Sequence, residues 1–343
     1  MPVRAIYEVF LFSCSVAHIP FFLRRRRELS QLVCTLLEPF RKFEGYTIKS
    51  EIVKDYILWV NRFSAIYIFY HVLFLTCFLM VLSPLFTLLF FTEGAIVNDW
   101  PLPAGHIPFQ TNSPFVYIVA YVITASAVVC AGLFHSSWHL AMIIASLHTK
   151  ARLRMTADFL GTLSERAGLP EPMYSGVLMT SFDRIGHDCL VETVQSHMEI
   201  IQFVRMFNQC FGMTLLVLFQ TSMIIVAVLV LQSVDRENYE THELLTGYNL
   251  ALACLGLLGL FNYFGQTIID ESEKLHQAMY ACDWYNRPKP FKTSLRIMIT
   301  VGSRPLFLKV GGLYPLSMES YGSIMKAVYS YVNILLSLQK EKV

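Results

Sequence analysis

Charged residues are scarce in this chain. Asp, Glu, Lys and Arg make up 15% of its 343 residues, whereas soluble domains contain about a quarter. Hydrophobic residues make up 55%, and the mean hydropathy is +0.49. A chain with so little charge is not expected to fold as a water-soluble domain, so the composition predicts an integral membrane protein.

The sequence also lacks the short motifs that carry catalysis. It contains no glycine-rich phosphate loop, no nucleophile elbow and no His-Glu-x-x-His pair. His135 and His139 have the i, i+4 spacing of metal ligands on a helix, but no third ligand is evident beside them. The net charge of +2 carries no sign of nucleic-acid binding. We therefore predict neither an enzyme nor a cofactor, metal or nucleic-acid site.

Six apolar segments, each near the roughly 20 residues that a bilayer requires, are predicted to span the membrane. They are Ile6–Leu23, Ala65–Thr87, Phe115–Ala145, Met213–Val234, Leu245–Ile268 and Pro315–Leu338. The third is longer than a bilayer requires, so we expect it to continue as a helix beyond the membrane. The predicted fold class is an all-α polytopic membrane protein, formed by a single domain over residues 1–343.

Basic residues alternate with acidic or neutral loops between the predicted spans. Segments 24–63, 148–205 and 270–312 contain nine, six and seven Lys and Arg residues, while the loop 92–114 contains none. By the positive-inside rule the three basic segments are cytoplasmic. With six spans, the N-terminus and the C-terminus are then both predicted to be extracellular.

Helical patterns continue from the spans into the cytoplasmic segments. Phe182–Phe211 and Tyr263–Tyr280 place apolar residues at helical spacing and adjoin the fourth and fifth spans. Their apolar faces need burial. The sequence leaves open whether they pack within one chain or against another subunit.

The last apolar segment, residues 313–338, is too polar for an ordinary lipid-exposed anchor. It carries Glu319, Lys326, Asn333 and five serines. Three of the serines recur at intervals of seven and share one helical face with two large aliphatic residues: Ser323, Ser330 and Ser337, with Ile334 and Leu338. Polar groups in hydrocarbon are costly unless they face protein or water. The stripe therefore indicates either a pore-lining helix or a helix whose serines bond to neighbouring helices or to its own backbone.

Aromatic and aliphatic residues in the outer halves of four spans could together line an apolar cavity with a few hydroxyl groups. They are Tyr7, Phe10, Phe78, Val81, Leu82, Leu85, Tyr117, Tyr121, Thr124, Tyr248, Leu252 and Leu255. Such a cavity suits a small volatile or lipophilic ligand. The alternative is plain helix packing, of which aromatic residues at helical spacing are also typical.

The C-terminal third contains three consecutive stretches of familiar character. They are DESEKLHQAMYACDWYN (Asp270–Asn286), KPFKTSLRIMITVGSRPL (Lys289–Leu306) and GGLYPLSMESYGSIMKAVYSYVNILLSLQ (Gly311–Gln339). In order, spacing and character they resemble the insect odorant receptor family, specifically its ligand-tuning subunits. The stretch LPAGHIPFQTNSPFVYIVAYV (Leu102–Val122) is similar as well. The resemblance covers nearly the whole chain.

The resemblance implies a seven-span fold that assembles with an odorant co-receptor into a tetrameric, odorant-gated, nonselective cation channel. The implied partners are an odorant co-receptor subunit, a small volatile odorant and the lipid bilayer. The implied location is the plasma membrane of olfactory sensory neurons, with the C-terminus outside. The first span here resembles the second of the family, so the family's first span is expected to be missing.

The resemblance also implies two sites. The pore and gate would lie on the last helix, at Ser330, Ile334, Ser337 and Leu338. The odorant pocket would lie between the outer halves of the first, second, third and fifth spans, the walls named above. Residues 1–268 would hold the pocket helices and their cytoplasmic extensions, 269–312 a cytoplasmic helical segment, and 313–339 the pore-lining helix. The alternatives are a gustatory-type receptor channel of the same fold and a non-conducting membrane receptor or truncated remnant.

Overall fold

The computed structural model describes residues 20–37 (except 22), 47–69, 114–163, 181–234 and 241–340 (except 283 and 286). Within these ranges the chain forms seven helices and one short hairpin. In order they are α1 (Arg26–Leu37), α2 (Thr47–Ile68), α3 (Pro114–Gly161), α4 (Ser181–Val234), α5 (Thr241–Ala281), α6 (Lys289–Gly302), β1 (Lys309–Val310), β2 (Tyr314–Pro315) and α7 (Met318–Lys340). The predicted helical fold class is confirmed.

Three of the helices are much longer than a membrane is thick. Helices α3, α4 and α5 contain 48, 54 and 41 residues, and none contains a proline after its first residue. At about 1.5 Å per residue each of these helices is longer than about 60 Å. This is roughly twice the thickness of the hydrocarbon core of a bilayer, about 30 Å. Each must therefore continue beyond the membrane, as predicted for the third, fourth and fifth spans.

Three helices among the described residues are both long enough and apolar enough to cross a membrane. They cover Ile118–Gly161, Gly186–Ala227 and Ala251–Ala281, and they overlap the third, fourth and fifth predicted spans. The more polar α7 is not among them, so its crossing stays a prediction. Nearly all of the first predicted span and most of the second lie outside the described residues.

The hydrophobic core lies where α3, α4 and α5 pack against one another. Phe203, Phe207 and Phe211 recur every four residues on one face of α4, and each is at most 1% exposed. Leu153 of α3 and Leu275 of α5 are buried in the same cluster. This packing shows that the helical extensions bury their apolar faces at least partly within one chain.

Helix α6 covers one side of this core. Phe291, Leu295 and Met298 lie at i, i+4 and i+7 and are buried, which gives the short helix one apolar face. A proline near its N-terminus favours the helix start, because its fixed φ suits the first turn. The N–H of Ser303 donates to the carbonyl of Ile299 at 2.9 Å and ends the helix.

The last helix begins later than predicted. The predicted span Pro315–Leu338 includes Pro315, but this residue belongs to β2, which pairs antiparallel with β1. Helix α7 begins at Met318. The hydroxyl oxygen of Ser317 accepts a hydrogen bond from the N–H of Ser320 at 3.1 Å and so caps the helix. The predicted start was wrong because apolar character alone does not distinguish a strand from the first turn of a helix.

Candidate functional site

One face of α7 is polar and exposed along most of its length. It is formed by two interleaved series, each with a period of seven residues: Glu319, Lys326 and Asn333, and Ser323, Ser330 and Ser337. All six side chains are exposed. On the other side of the helix, Tyr321 and Ile324 pack against the core. We call these six residues the α7 polar stripe. Only the serine half of the stripe was predicted from the sequence, although the other three residues repeat at the same interval.

The serines of the α7 polar stripe bond to their own helix. The hydroxyl of Ser323 donates to the carbonyl of Glu319 at 3.1 Å, and that of Ser330 donates to the carbonyl of Lys326 at 3.0 Å. The hydroxyl of Ser337 donates to the carbonyl of Ile334 at 2.8 Å. Each hydroxyl oxygen keeps acceptor capacity toward the outside. The stripe is therefore a polar surface and not a seam that joins α7 to α4 or α5.

The predicted pore and gate residues lie toward the C-terminal end of α7. Ser330 and Ser337 are exposed, and Ile334 between them is 55% exposed. Leu338 lies on the helix, and its side chain is outside the described part of the structure. An apolar ring requires several copies of these residues around one axis, so the gate stays a prediction.

The predicted pocket residues that the structure describes differ in exposure, and the pocket stays a prediction. Tyr121 of α3 is 9% exposed, whereas Tyr248 and Leu252 of α5 are 52% and 72% exposed. Ala120 and Ala125 are buried on the same helix as Tyr121. The side chains of Tyr117 and Thr124 are outside the described part of α3. Tyr7, Phe10, Phe78, Val81, Leu82 and Leu85 lie outside the described residues altogether.

Two amide side chains of α5 hold the start of α7. The Nδ2 group of the fully buried Asn262 donates to the carbonyl of Leu258 at 2.8 Å, and its Oδ1 accepts from the N–H of Ser317 at 3.1 Å. The Oε1 atom of Gln266 accepts from the N–H of Met318 at 3.2 Å. The first N–H groups of a helix have no partner within it. Asn262 and Gln266 supply such partners, and they fix where α7 begins.

A third amide holds the other strand of the hairpin. Asn208 of α4 donates to the carbonyl of Phe307 at 3.0 Å and accepts from the N–H of Lys309 at 2.7 Å. The N–H of Gly311 donates to the carbonyl of Gly212 at 2.8 Å. The hairpin is therefore attached to both α4 and α5. We call Asn208, Asn262 and Gln266 the amide clamp.

Glycines allow the backbones to approach closely at the amide clamp. A Cβ atom at Gly265 would overlap the carbonyl oxygen of Leu316. The hairpin turn uses Gly311 and Gly312 at φ values of +58° and +77°, a left-handed region that favours glycine. This arrangement was not predicted from the sequence. Its available signals were two amides four residues apart in an apolar span and a Gly-Gly pair before a Tyr-Pro pair.

Apolar contacts support the hairpin on the side of α4. The ring of Tyr314 lies 6.0 Å from the ring of Phe219, centroid to centroid. Leu308, Val310 and Leu316 are each at most 1% exposed. The hairpin is thus a packed part of the bundle.

The two histidines with metal-ligand spacing pack as aromatic groups. The rings of His135 and His139 are 4.2 Å apart in an edge-to-face arrangement, and the His139 ring also lies 5.5 Å from that of Phe261. Among the described residues, no group of three possible metal ligands occurs.

Comparison with known proteins identifies relatives along the whole chain. The family model for the 7tm odorant receptor matches residues 3–329. Odorant receptor 49a of Drosophila melanogaster is 23% identical over an aligned length of 342 residues that covers 97% of this chain and 80% of that protein. The odorant receptor coreceptor of Ooceraea biroi is 26% identical over 147 residues, which is 43% of this chain and 30% of that protein.

A solved structure shares the fold. The insect olfactory receptor OR5 from Machilis hrabei, in complex with eugenol, superposes with a TM-score of 0.73 over 98% of this chain and 83% of that chain. A second structure of the same receptor gives a TM-score of 0.68. The sequence identities are 15% and 17%, so the likeness concerns the arrangement of the helices.

Proposed function

Because this chain belongs to the 7tm odorant receptor family, we propose that it is a ligand-tuning subunit of an odorant-gated, nonselective cation channel. The chain is a membrane protein of a family of receptors, not of enzymes. Similarity to odorant receptor 49a extends over 97% of the chain, whereas similarity to the coreceptor of Ooceraea biroi covers 43%. This difference supports the tuning role over the co-receptor role.

The observation that carries the channel proposal is the α7 polar stripe. Its six exposed residues extend from Glu319 to Ser337, a distance of about 27 Å at 1.5 Å per residue. This nearly equals the roughly 30 Å thickness of the hydrocarbon core. Lipid tails cannot form hydrogen bonds with the polar side chains of a face of that length, but water can. Several such helices around one axis would line an aqueous path.

The gate and the ligand pocket follow from the same proposal. Ile334 and Leu338 lie beside the last serines of the stripe, and a ring of such residues closes a pore by excluding water. The pocket lies in the outer half of the bundle, with Tyr121 as its buried wall residue among those described. A small volatile odorant would bind there and favour the open state by its differential affinity for the two states.

The proposed assembly is a heterotetramer with an odorant co-receptor in the plasma membrane of olfactory sensory neurons. The alternation of basic segments along the chain supports an extracellular C-terminus. The similarity to coreceptors is confined to less than half of the chain. This is consistent with a related but distinct partner subunit.

The test is whole-cell current in cells that express this chain with an odorant co-receptor, recorded against a broad odorant panel. We expect an odorant-evoked cation current that is absent with the co-receptor alone. A tag at the C-terminus, labelled in unpermeabilised cells, reports both surface delivery and orientation. A chain that is labelled at the surface but evokes no current would contradict the proposal. A current without any co-receptor would indicate a gustatory-type channel.

A further inference from the structure

The outward face of α2 changes from charged to apolar along the helix. Lys54 is exposed near its start, whereas the apolar side chains of Ile66 near its end and Phe69 just beyond it are 62% and 67% exposed. The change takes place around Arg62, three residues before the predicted span Ala65–Thr87. A helix with this gradient passes from water into hydrocarbon near that residue.

Arg62 is held against an aromatic ring at this boundary. Its Cζ atom lies 5.7 Å from the centroid of the Trp59 ring, within the range of a cation–π interaction. Trp59 is about one turn nearer the N-terminus of α2, so the guanidinium is directed away from the predicted span. A basic side chain at the end of a span reaches the polar interface in this way.

No carboxylate is paired with Arg62 within the described part of the chain. The salt bridges there are Arg25–Glu28, Arg152–Glu199 and Lys274–Glu271. Asp55 is exposed seven residues before Arg62 on the same face, about 10 Å along the helix, and it forms no salt bridge with the guanidinium. The face therefore offers an unpaired guanidinium, a half-exposed indole and, above them, exposed apolar side chains.

We propose that Arg62 and Trp59 form a binding site for the phosphate of an anionic phospholipid. The guanidinium presents its N–H donors in a plane that matches phosphate oxygens, and a tryptophan at the membrane boundary sits at the depth of the headgroups. Ile66 is exposed one turn beyond Arg62, on the side of the predicted span, and supplies an apolar contact for an acyl chain. A soluble anion would use only the phosphate contact, whereas a lipid uses both.

A ladder of rings connects this lipid site to the start of α7. Trp59 stacks on Phe63 with ring centroids 5.8 Å apart, and Phe63 meets Phe264 of α5 edge to face at 5.3 Å. Phe264 precedes Gly265, against which Leu316 lies. A bound headgroup that orders Trp59 therefore stabilises the contact between α2 and α5. We expect anionic lipid to raise the thermal stability of the chain.

The test uses the full-length chain in nanodiscs of phosphatidylcholine with or without phosphatidylserine. Retained lipid is counted by native mass spectrometry, and the unfolding temperature is measured in parallel. Arg62→Gln and Trp59→Leu are compared with Arg296→Gln, which removes another exposed charge, on α6. We expect Arg62→Gln to lower the retention of phosphatidylserine about fivefold and to abolish its thermal stabilisation. Arg296→Gln should change neither.

Three results would overturn the site. Arg62→Gln could retain as much phosphatidylserine as the unchanged chain, or Arg296→Gln could lose as much, in which case retention follows total charge. Glycerophosphoserine without acyl chains could stabilise the chain as well as the lipid does, which would indicate a site for soluble anions. Equal unfolding temperatures in pure phosphatidylcholine verify that each variant is folded. The assay measures lipid and not current, so it can fail while the proposed function holds.

Discussion

The side-chain oxygen of Asn262 accepts a hydrogen bond from the backbone N–H of Ser317 at 3.1 Å. The two residues are 55 positions apart, and both are buried. Ser317 caps α7 and Asn262 lies near the middle of α5, so this bond links α5 to the first turn of the proposed pore helix. A displacement of α5 at this level would carry the start of α7 with it.

Loss of this bond should destabilise the chain. Asn262→Ala leaves the Ser317 N–H without its acceptor in a buried position, and such a group costs about 1–3 kcal/mol. We expect a lower unfolding temperature for the purified chain, measured by differential scanning fluorimetry. Asn333→Ala is the matched control, because it removes an exposed amide of α7. An unchanged unfolding temperature for Asn262→Ala would show that the amide clamp does not hold α7.

A methyl group at Gly265 should displace the hairpin. Its Cβ would overlap the carbonyl oxygen of Leu316, whereas a Cβ at Gly256 of the same helix would meet no atom within 4 Å. We expect Gly265→Ala to reduce the monodisperse fraction in fluorescence-detected size-exclusion chromatography. Gly256→Ala should behave like the unchanged chain, or slightly better, because alanine favours a helix over glycine by about 1 kcal/mol. Similar behaviour of the two variants would refute the close approach.

The assignment of the gate to Ile334 and Leu338 predicts that their substitution causes a cation leak without odorant. Ile334→Ala combined with Leu338→Ala widens the proposed apolar constriction, so water and cations should pass without odorant. We expect a larger basal current in cells that also express the co-receptor. Met325→Ala serves as the comparison, because residue 325 lies nine positions earlier and on the opposite side of the helix. Unchanged basal current and an unchanged odorant response would show that Ile334 and Leu338 do not form the gate.

The pocket assignment predicts a change in odorant sensitivity. Tyr121→Ala removes a buried aromatic wall, and we expect the half-maximal odorant concentration to rise roughly tenfold, equivalent to about 1.4 kcal/mol of binding free energy. Tyr248→Ala should shift it in the same direction. Both variants should keep their response to an agonist directed at the co-receptor. If both responses disappear together, the substitution has impaired assembly, and the pocket assignment loses its support.

The α7 polar stripe shows how much of a helical surface can be predicted from the spacing of residues in the sequence. The seven-residue interval of Ser323, Ser330 and Ser337 predicts a shared face, and the structure places all three on the exposed side. The same interval relates Glu319, Lys326 and Asn333, which the sequence analysis noted for their polarity only. Their position on the same face follows from the helix period, so the complete stripe was available from the sequence.

The sequence by itself determined the membrane class, the helical fold and the extension of the third, fourth and fifth spans beyond the bilayer. Composition and periodicity are properties of single segments, and they need no knowledge of neighbours. Only the tertiary structure decided that α7 begins at Met318 and that Tyr121 is buried while Tyr248 is exposed. It also formed the amide clamp, whose hydrogen bonds join residues as far as 101 positions apart. The partner of a buried amide depends on which backbones pack beside it, and that is established only when the helices come together.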